Sequence, residues 1–355
     1  MPAKIVVMPS LAEIYDVALV DLDGVIYRGA DRVPHASTSL ARARAAGMHC
    51  AFVTNNAART PQAVADQLTA LGVPATAADV VTSAQAAAHL LAEQLPPGAK
   101  VLVVGGDGLV AALTERGLTP VFGADEAPAA VVSGLHPDVG WRLLAEGCYA
   151  VTTGVPWVAT NVDPTLPTAR GLAPGNGALV AAIQMATARQ PVVAGKPEPP
   201  LHQEAILRTG ARRPLVVGDR LDTDIAGARR AGADSLLVLT GVTGALGLVT
   251  ANPEYRPTFL AMDLRGLGSA AADLSVKPGR TSSGRYTAAV ERDRLVVSDR
   301  GERGVGGSDH DAVDLLRATC GAVWAAADRG QQVTGIARVL ATAGWPVPPE
   351  PPDSY

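Results

Sequence analysis

Up to about Leu267, short apolar runs alternate with stretches of helical spacing. Val17–Val20 stops at Asp21, Cys50–Val53 at Thr54, Val101–Val104 at Gly105 and Leu215–Val217 at Gly218. Runs this short and rich in Val predict strands rather than helices. Each leads through a loop into a helical pattern, and the repeated order of strand, loop and helix predicts a parallel α/β sheet with ligands at the C-terminal strand ends. Helix starts are legible as well. Thr60-Pro61 places a hydroxyl cap before a proline at the first helical position, ahead of Val64, Leu68 and Leu71. Thr223 is the expected cap of a further helix over Ile225–Ala231.

Polar clusters follow three of these runs, at Asp21–Asp23, Thr54–Asn56 and Asp219–Asp224. A further candidate, Lys196, lies roughly 140 residues beyond the second cluster, too far for an ordinary connection. The interval holds βα patterns of its own (Lys100–Leu118, Ala129–Gly134, Tyr149–Thr153, Trp157–Thr160, Asn176–Ala188), so it reads as a domain inserted between the halves of a first one. Beyond Leu267 the texture turns Gly/Ser-rich, as in a linker. Tyr286–Val290 and Arg294–Ser298 are then expected to pair around Glu291-Arg292-Asp293, with helices near Asp311–Asp328 and Val333–Ala343, making a small α+β appendage. The final WPVPPEPPDSY is Pro-rich and expected to be loose.

Composition narrows the function classes. Among 355 residues, Lys+Arg 30 against Asp+Glu 34 leaves a formal charge of −4, which argues against a nucleic-acid partner. Apolar residues at 48% and charged residues at 18% supply a buried core. No run of about 18 apolar residues is present, and the opening MPAKIVVMPSLAEIYD lacks the marks of a signal peptide, so no membrane partner is expected. Cys50, Cys148 and Cys320 are odd in number and far apart, which suits a reducing, cytoplasmic location.

Four clusters carry candidate chemistry. In Asp21-Leu22-Asp23-Gly24 the strand period of two puts both carboxylates on one side. Like charges that close resist ionisation unless a cation lies between them, so the pair makes sense as half of a Mg²⁺ site; the bland alternative is a solvated turn with Gly24 left-handed. Thr54-Asn55-Asn56 offers a hydroxyl, two amides and backbone N–H groups suited to phosphate oxygens, or simply turn chemistry. Lys196, fixed between Gly195 and Pro197, is aimed enough to neutralise a phosphate beside a carboxylate nucleophile, though a surface lysine at a helix entry is commoner. Asp222 and Asp224 have a ready explanation as anions at a helix start, whereas Asp219 sits at the strand end and lacks one. The argument rests on all four occurring in this order at loop positions of one sheet.

Together these motifs resemble the haloacid dehalogenase superfamily of phosphatases: Asp21-x-Asp23, Thr54, Lys196 and Gly218-Asp219-x4-Asp224. The place of the insertion, with TNN, ATNVD (Ala159–Asp163), PGNGAL (Pro174–Leu179) and GDRLDTDI, resembles the type-IIA cap of the NagD-like and p-nitrophenylphosphatase branch, which includes phosphoglycolate and glycerol-3-phosphate phosphatases. The likeness spans about residues 15–265. It implies a Rossmann-like parallel core in two halves, 1–83 and 189–267, and an α/β cap at 84–188; the change of texture beyond it places a linker at 268–284 and a small α+β domain at 285–355. It implies Asp21 as nucleophile through an aspartyl-phosphate and Asp23 as acid, then base. It further implies Mg²⁺ held by Asp21, the Asp23 carbonyl and Asp219, phosphate held by Thr54, Asn55, Asn56 and Lys196, and a supporting place for Asp224 and Asp222. The presence of Asp23 argues against a dehalogenase. The expected substrate is a small phosphorylated metabolite, glycerol 3-phosphate or phosphoglycolate, with pyridoxal phosphate, a nucleotide monophosphate or a non-catalytic phosphate-ester binder as alternatives.

Other motifs are weaker. Val104–Leu109 lacks a full GxGxxG, because position 110 is Val, and reads as a tight turn inside the cap rather than a dinucleotide site. Gln332-x-x-Gly335-x-Ala337 fits the pyrophosphate loop of GCN5-like acetyltransferases, yet the pattern is short enough to arise by accident, and a degenerate interaction or packing module, with homodimerisation as one use, is the expectation. The six histidines are scattered, without zinc-ligand spacing. Trp141 and Trp157 are expected in the core, and the loop Thr160–Gly177, with Asn161, Asp163, Arg170 and Asn176, is expected to face the leaving group.

Overall fold

The computed structural model describes residues 8–168, 170–301 and 309–347. The first residues of the opening segment and most of the Pro-rich end lie outside these. A six-stranded parallel sheet forms the core, in the order Phe259–Ala261, Asp234–Val238, Pro214–Gly218, Val17–Val20, His49–Thr54, Val80–Thr82. Its strands are apolar on both faces because helices cover both. Ala18, Val20, Cys50, Phe52, Leu215 and Val217 point into one buried cluster. Val17, Leu19, Ala51, Val53 and Val216 point into the other.

The register lines up Val20 with Phe52 on one side and with Val217 on the other. Asp21, Thr54 and Asp219 therefore emerge side by side at the C-terminal ends of three adjacent central strands, where an open α/β sheet collects its ligands.

The inserted segment builds a second parallel sheet, ordered Val192–Val193, Trp157–Ala159, Ala130–Ser133, Lys100–Val104, Thr119–Val121, whose strand Val192–Val193 lies beyond the expected cap end at 188. Two helices, Trp141–Thr152 and Asn176–Thr187, cover one face. The other face, through Val101, Val103, Val132 and Val158, joins the buried cluster of the core, so cap and core share apolar contact. At Gly108, in the Val104–Leu109 turn, cap and core backbones approach closely: a Cβ there would lie 2.2 Å from the Ala57 carbonyl oxygen and 2.8 Å from that of Arg59. Only a glycine tolerates that approach.

Several expectations need correction. The stretch 268–284 is packed rather than loose. Ala271–Leu274 is helical, Ser275 bridges to Phe259, the Gly279 N–H donates to the Gly321 carbonyl, and Leu274 and Val276 are buried. The C-terminal hairpin Tyr286–Glu291/Arg294–Asp299 and the helices Asp309–Ala327 and Ile336–Thr342 form the small α+β unit as expected, and it packs against the core. Leu316, Trp324 and Cys320 share one cluster with Leu237, Leu248, Val249 and Leu260 of the core. Trp141 is 77% exposed rather than buried, while Trp157 is buried and donates its ring N–H to Ser133. Thr60 caps its helix through the Ala63 N–H at 3.3 Å. Thr223 caps nothing: a single π-turn over Leu221–Ile225 precedes the helix, and the Asp224 carboxylate accepts from the Arg220 N–H instead. Among the described residues no helix is long and apolar enough to cross a membrane.

Candidate active site

The site centres on Lys196, which is almost completely buried. Its Nζ donates to Asp21 Oδ1 at 2.5 Å, Asp224 Oδ1 at 2.7 Å and the Val53 carbonyl at 3.4 Å, which occupies all three protons. Burial alone would drive the ammonium below its usual range; the two carboxylates outweigh it and hold Lys196 charged. Burial, despite the nearby Lys196 charge and with Asp224 and Asp219 adding to it, pushes the Asp21 carboxyl well above the ordinary range.

Asp219 lies at the bottom of the same pit. Its Oδ2 accepts the Val242 N–H at 2.6 Å, while its Oδ1 is buried without a partner. Burial, then the Asp224 charge, moves this carboxyl up to about 6. Two glycines wall it in: a Cβ at Gly24 would lie 2.5 Å from the Asp219 Cγ, and one at Gly241 1.9 Å from its Oδ2. Gly24 also sits at φ +80°, a left-handed turn that returns the chain beside Asp23. One oxygen each of Asp21, Asp219 and Asp224 lie within 4.8 Å of one another. Three carboxylates so placed, one with an orphaned buried oxygen, form a hard-oxygen donor set that fits a divalent cation such as magnesium.

Asp23 stands apart. Its side chain reaches solvent at the mouth of the cleft, where partial burial raises its carboxyl and the Arg59 guanidinium opposes the rise. The same guanidinium opposes the burial that pushes the Tyr27 hydroxyl up to about 12. Thr54 is buried and its hydroxyl accepts the Asn56 N–H at 3.1 Å. Asn56 Oδ1 accepts the Ala58 N–H at 2.9 Å, closing a local turn.

The Asn55 amide is engaged with the protein rather than open to a phosphate. It accepts from the Lys196 N–H at 2.8 Å and donates to the Lys196 carbonyl at 3.1 Å and to Asp163 at 3.2 Å. Asp222 is exposed and grips Arg220 through two bonds of 3.0 and 2.7 Å, outside the carboxylate cluster. In the cap loop, Asn161 donates to the Asn55 carbonyl at 2.8 Å and Asn176 to the Asn161 carbonyl at 2.6 Å, whereas Arg170 is exposed at the turn between the strands Thr165–Thr168 and Gly171–Pro174.

Sequence reasoning missed three contributors. Val242 supplies an N–H from the loop after the strand Asp234–Val238, and the Thr240-Gly241-Val242-Thr243 run at a strand end was the available signal. Arg59 has no signal beyond a cation following Thr54–Asn56. His202 is buried behind Lys196, pushed down to about 4 first by burial and then by the lysine, with Nδ1 unpartnered, and nothing in its sequence context marks it.

Comparison with known proteins agrees with this geometry. Residues 18–119 match the haloacid dehalogenase-like hydrolase family, and residues 193–267 match the related HAD-hydrolase-like family. Residues 283–345 match the GCN5-related N-acetyltransferase like domain. The Gln332–Ala337 pattern lies inside the matched residues, with Gly335 leading into the helix Ile336–Thr342. The chain is 47% identical to D-glycerol 3-phosphate phosphatase of Mycobacterium tuberculosis over 90% of its own length and 88% of the relative's. It is 40% identical to the 5′-nucleotidase YutF of Bacillus subtilis over 63% and 87% of the two. The crystal structure of glycerol phosphate phosphatase from Mycobacterium tuberculosis in complex with magnesium superposes with a TM-score of 0.82 at 46% identity, covering 90% of this chain and 93% of that one. With a matched core, a cap in the same place and a carboxylate cluster at the strand ends, the chain belongs to the haloacid dehalogenase-like hydrolases, as a phosphatase of the NagD and p-nitrophenylphosphatase branch.

Proposed function

We propose that the chain hydrolyses glycerol 3-phosphate, with magnesium, through a phosphoryl-aspartate on Asp21. The observation that carries this reading is the buried Lys196 bridging Asp21 and Asp224 beside the orphaned oxygen of Asp219. The substrate is the one named for the 47% identical relative.

Asp21, Asp219 and the Asp23 carbonyl would hold the ion, which supplies charge neutralisation between enzyme carboxylate and phosphate. Lys196 keeps one Asp21 oxygen pinned and aims the other at phosphorus. Thr54 and the backbone of residues 54–56 receive the transferring oxygens, and the Asn55 side chain supports that loop from behind. Asp23, at the solvent edge, protonates the departing alkoxide and afterwards takes the proton of the hydrolytic water, a contribution of roughly 10²–10⁴ in rate. Asp224 holds Lys196. The cap covers the cleft and admits small esters. The unpaired thiols suit the reducing cytoplasm expected for such a metabolite, and the C-terminal module is the expected homodimer contact.

A phosphate-release screen with magnesium and with chelator tests the reading. Glycerol 3-phosphate is expected to give the highest kcat/KM among small esters, and Asp21→Asn protein is expected to release nothing above background. A nucleoside monophosphate preferred over glycerol 3-phosphate would move the substrate toward that of the 40% identical nucleotidase. Turnover retained by Asp21→Asn would sink the mechanism.

A further inference from the structure

The cap enters and leaves the core at two crossings. The outbound one passes Ser83, directly after the strand Val80–Thr82, and the return passes Gly195-Lys196, directly after the cap strand Val192–Val193. One core residue touches both. The Asn55 carbonyl accepts Ser83 Oγ at 2.6 Å and Asn161 Nδ2 of the cap at 2.8 Å. Its side-chain amide closes a pair with the Lys196 backbone, N–H at 2.8 Å and carbonyl at 3.1 Å, and its remaining proton goes to Asp163 of the cap at 3.2 Å. Gly195 shows how tightly this is drawn. A Cβ there would lie 2.3 Å from the Thr160 carbonyl oxygen and 2.6 Å from Asn55 Oδ1.

We propose that Asn55 is a positioning residue that couples the cap to the catalytic lysine. The same planar amide that fixes the Lys196 backbone is fixed in turn by Asp163, so the cap's hold on Asn55 sets where the ammonium meets Asp21. An amide of this kind has one carbonyl oxygen and two protons, and all three directions are used across two domains. When Asp163 leaves, the amide loses the contact that fixes its plane, and the Lys196 backbone loses its reference. A charge-assisted contact of this type is the stronger class of hydrogen bond. The proposal rests on the phosphatase reading of Asp21 and Lys196, and deepens it.

The test uses the full chain with magnesium and p-nitrophenyl phosphate, a generic aryl ester whose turnover does not depend on the identity of the natural substrate. Asp163→Ala is expected to lower kcat roughly tenfold with a smaller change in KM and an unchanged Tm, because one hydrogen bond to a charged group is lost. Asp163→Asn, which keeps an acceptor oxygen, is expected to restore most of kcat. In the Asn55→Ala background the same Asp163→Ala change is expected to cost little more, since the two act in series. Losses that multiply in the double variant would overturn the coupling, as would wild-type kcat in Asp163→Ala or equal losses for the Ala and Asn variants. If Asn55→Ala does not fold, the Asp163 pair decides alone. Wild-type protein inactive on every ester would instead sink the phosphatase reading itself.

Discussion

The sequence alone could state a cost for the like charges of Asp21 and Asp23, but not that Asp219 shares it. The folded Asp219 carboxyl takes up its proton near pH 6, against 3.8 for the unexceptional carboxyl, and Asp21 is displaced the same way. Between those values the folded chain binds more protons than the unfolded one. These two groups therefore support the metal-free fold in acid, and that support is lost as pH rises through the folded values. A divalent ion competes with the same protons. Magnesium should consequently raise Tm more at pH 8 than at pH 5, and Asp219→Asn should abolish most of the gain; an equal shift at both pH values, read by scanning fluorimetry, would contradict this. Asp21, Asp23 and Lys196 were legible as candidates because each follows or precedes a marked strand or helix start. The direction of the Asn55 amide was not, since it depends on Asp163 and Lys196, more than a hundred positions away.

Among the elements, the helices that join cap to core carry a buried charge cluster the sequence did not announce. Glu204, on the core helix Pro199–Thr209, is nearly fully buried and receives Arg208 of its own helix and Arg116 and His89 from the cap side. Arg208 also reaches Glu115 at 2.9 Å. Burial alone would raise the Glu204 carboxyl, but these partners hold it below its usual range. Removing it takes the carboxylate from Arg116 and leaves Arg208 with Glu115 alone, so Glu204→Ala should destabilise by about 3 kcal/mol, measured as a lower urea midpoint. An unchanged midpoint would show the cluster to be energetically neutral. Elements themselves were legible where periodicity was strong, as in Val17–Val20 and Thr60-Pro61. The π-turn at Leu221–Ile225 was not, because it depends on the Asp224 carboxylate reaching back to the Arg220 N–H, a bond that the expected Thr223 cap does not foresee.

On the scale of the whole molecule, the division into core halves and inserted cap was visible in the spacing of motifs. The fusion of the C-terminal module was not, because the composition of 268–284 resembles a linker and the partners of Trp324 lie far upstream. Trp324 is buried, donates to the Leu248 carbonyl at 3.3 Å and lies beneath the Arg256 guanidinium at 5.2 Å. Arg317 grips the Leu260 carbonyl of the edge strand. Trp324→Ala should cost about 3–5 kcal/mol. Calorimetry should show module and core unfolding in one transition; a separate early transition for the module alone would refute the shared cluster. The position of Val17–Val20 in the middle of the core sheet has a consequence for biosynthesis. Val17 aligns with His49 on one side but with Pro214 on the other. As the chain leaves the ribosome, the first half-sheet must wait with a naked flank until the whole cap has been made, and a nascent chain in that interval is the species that chaperones have to shield.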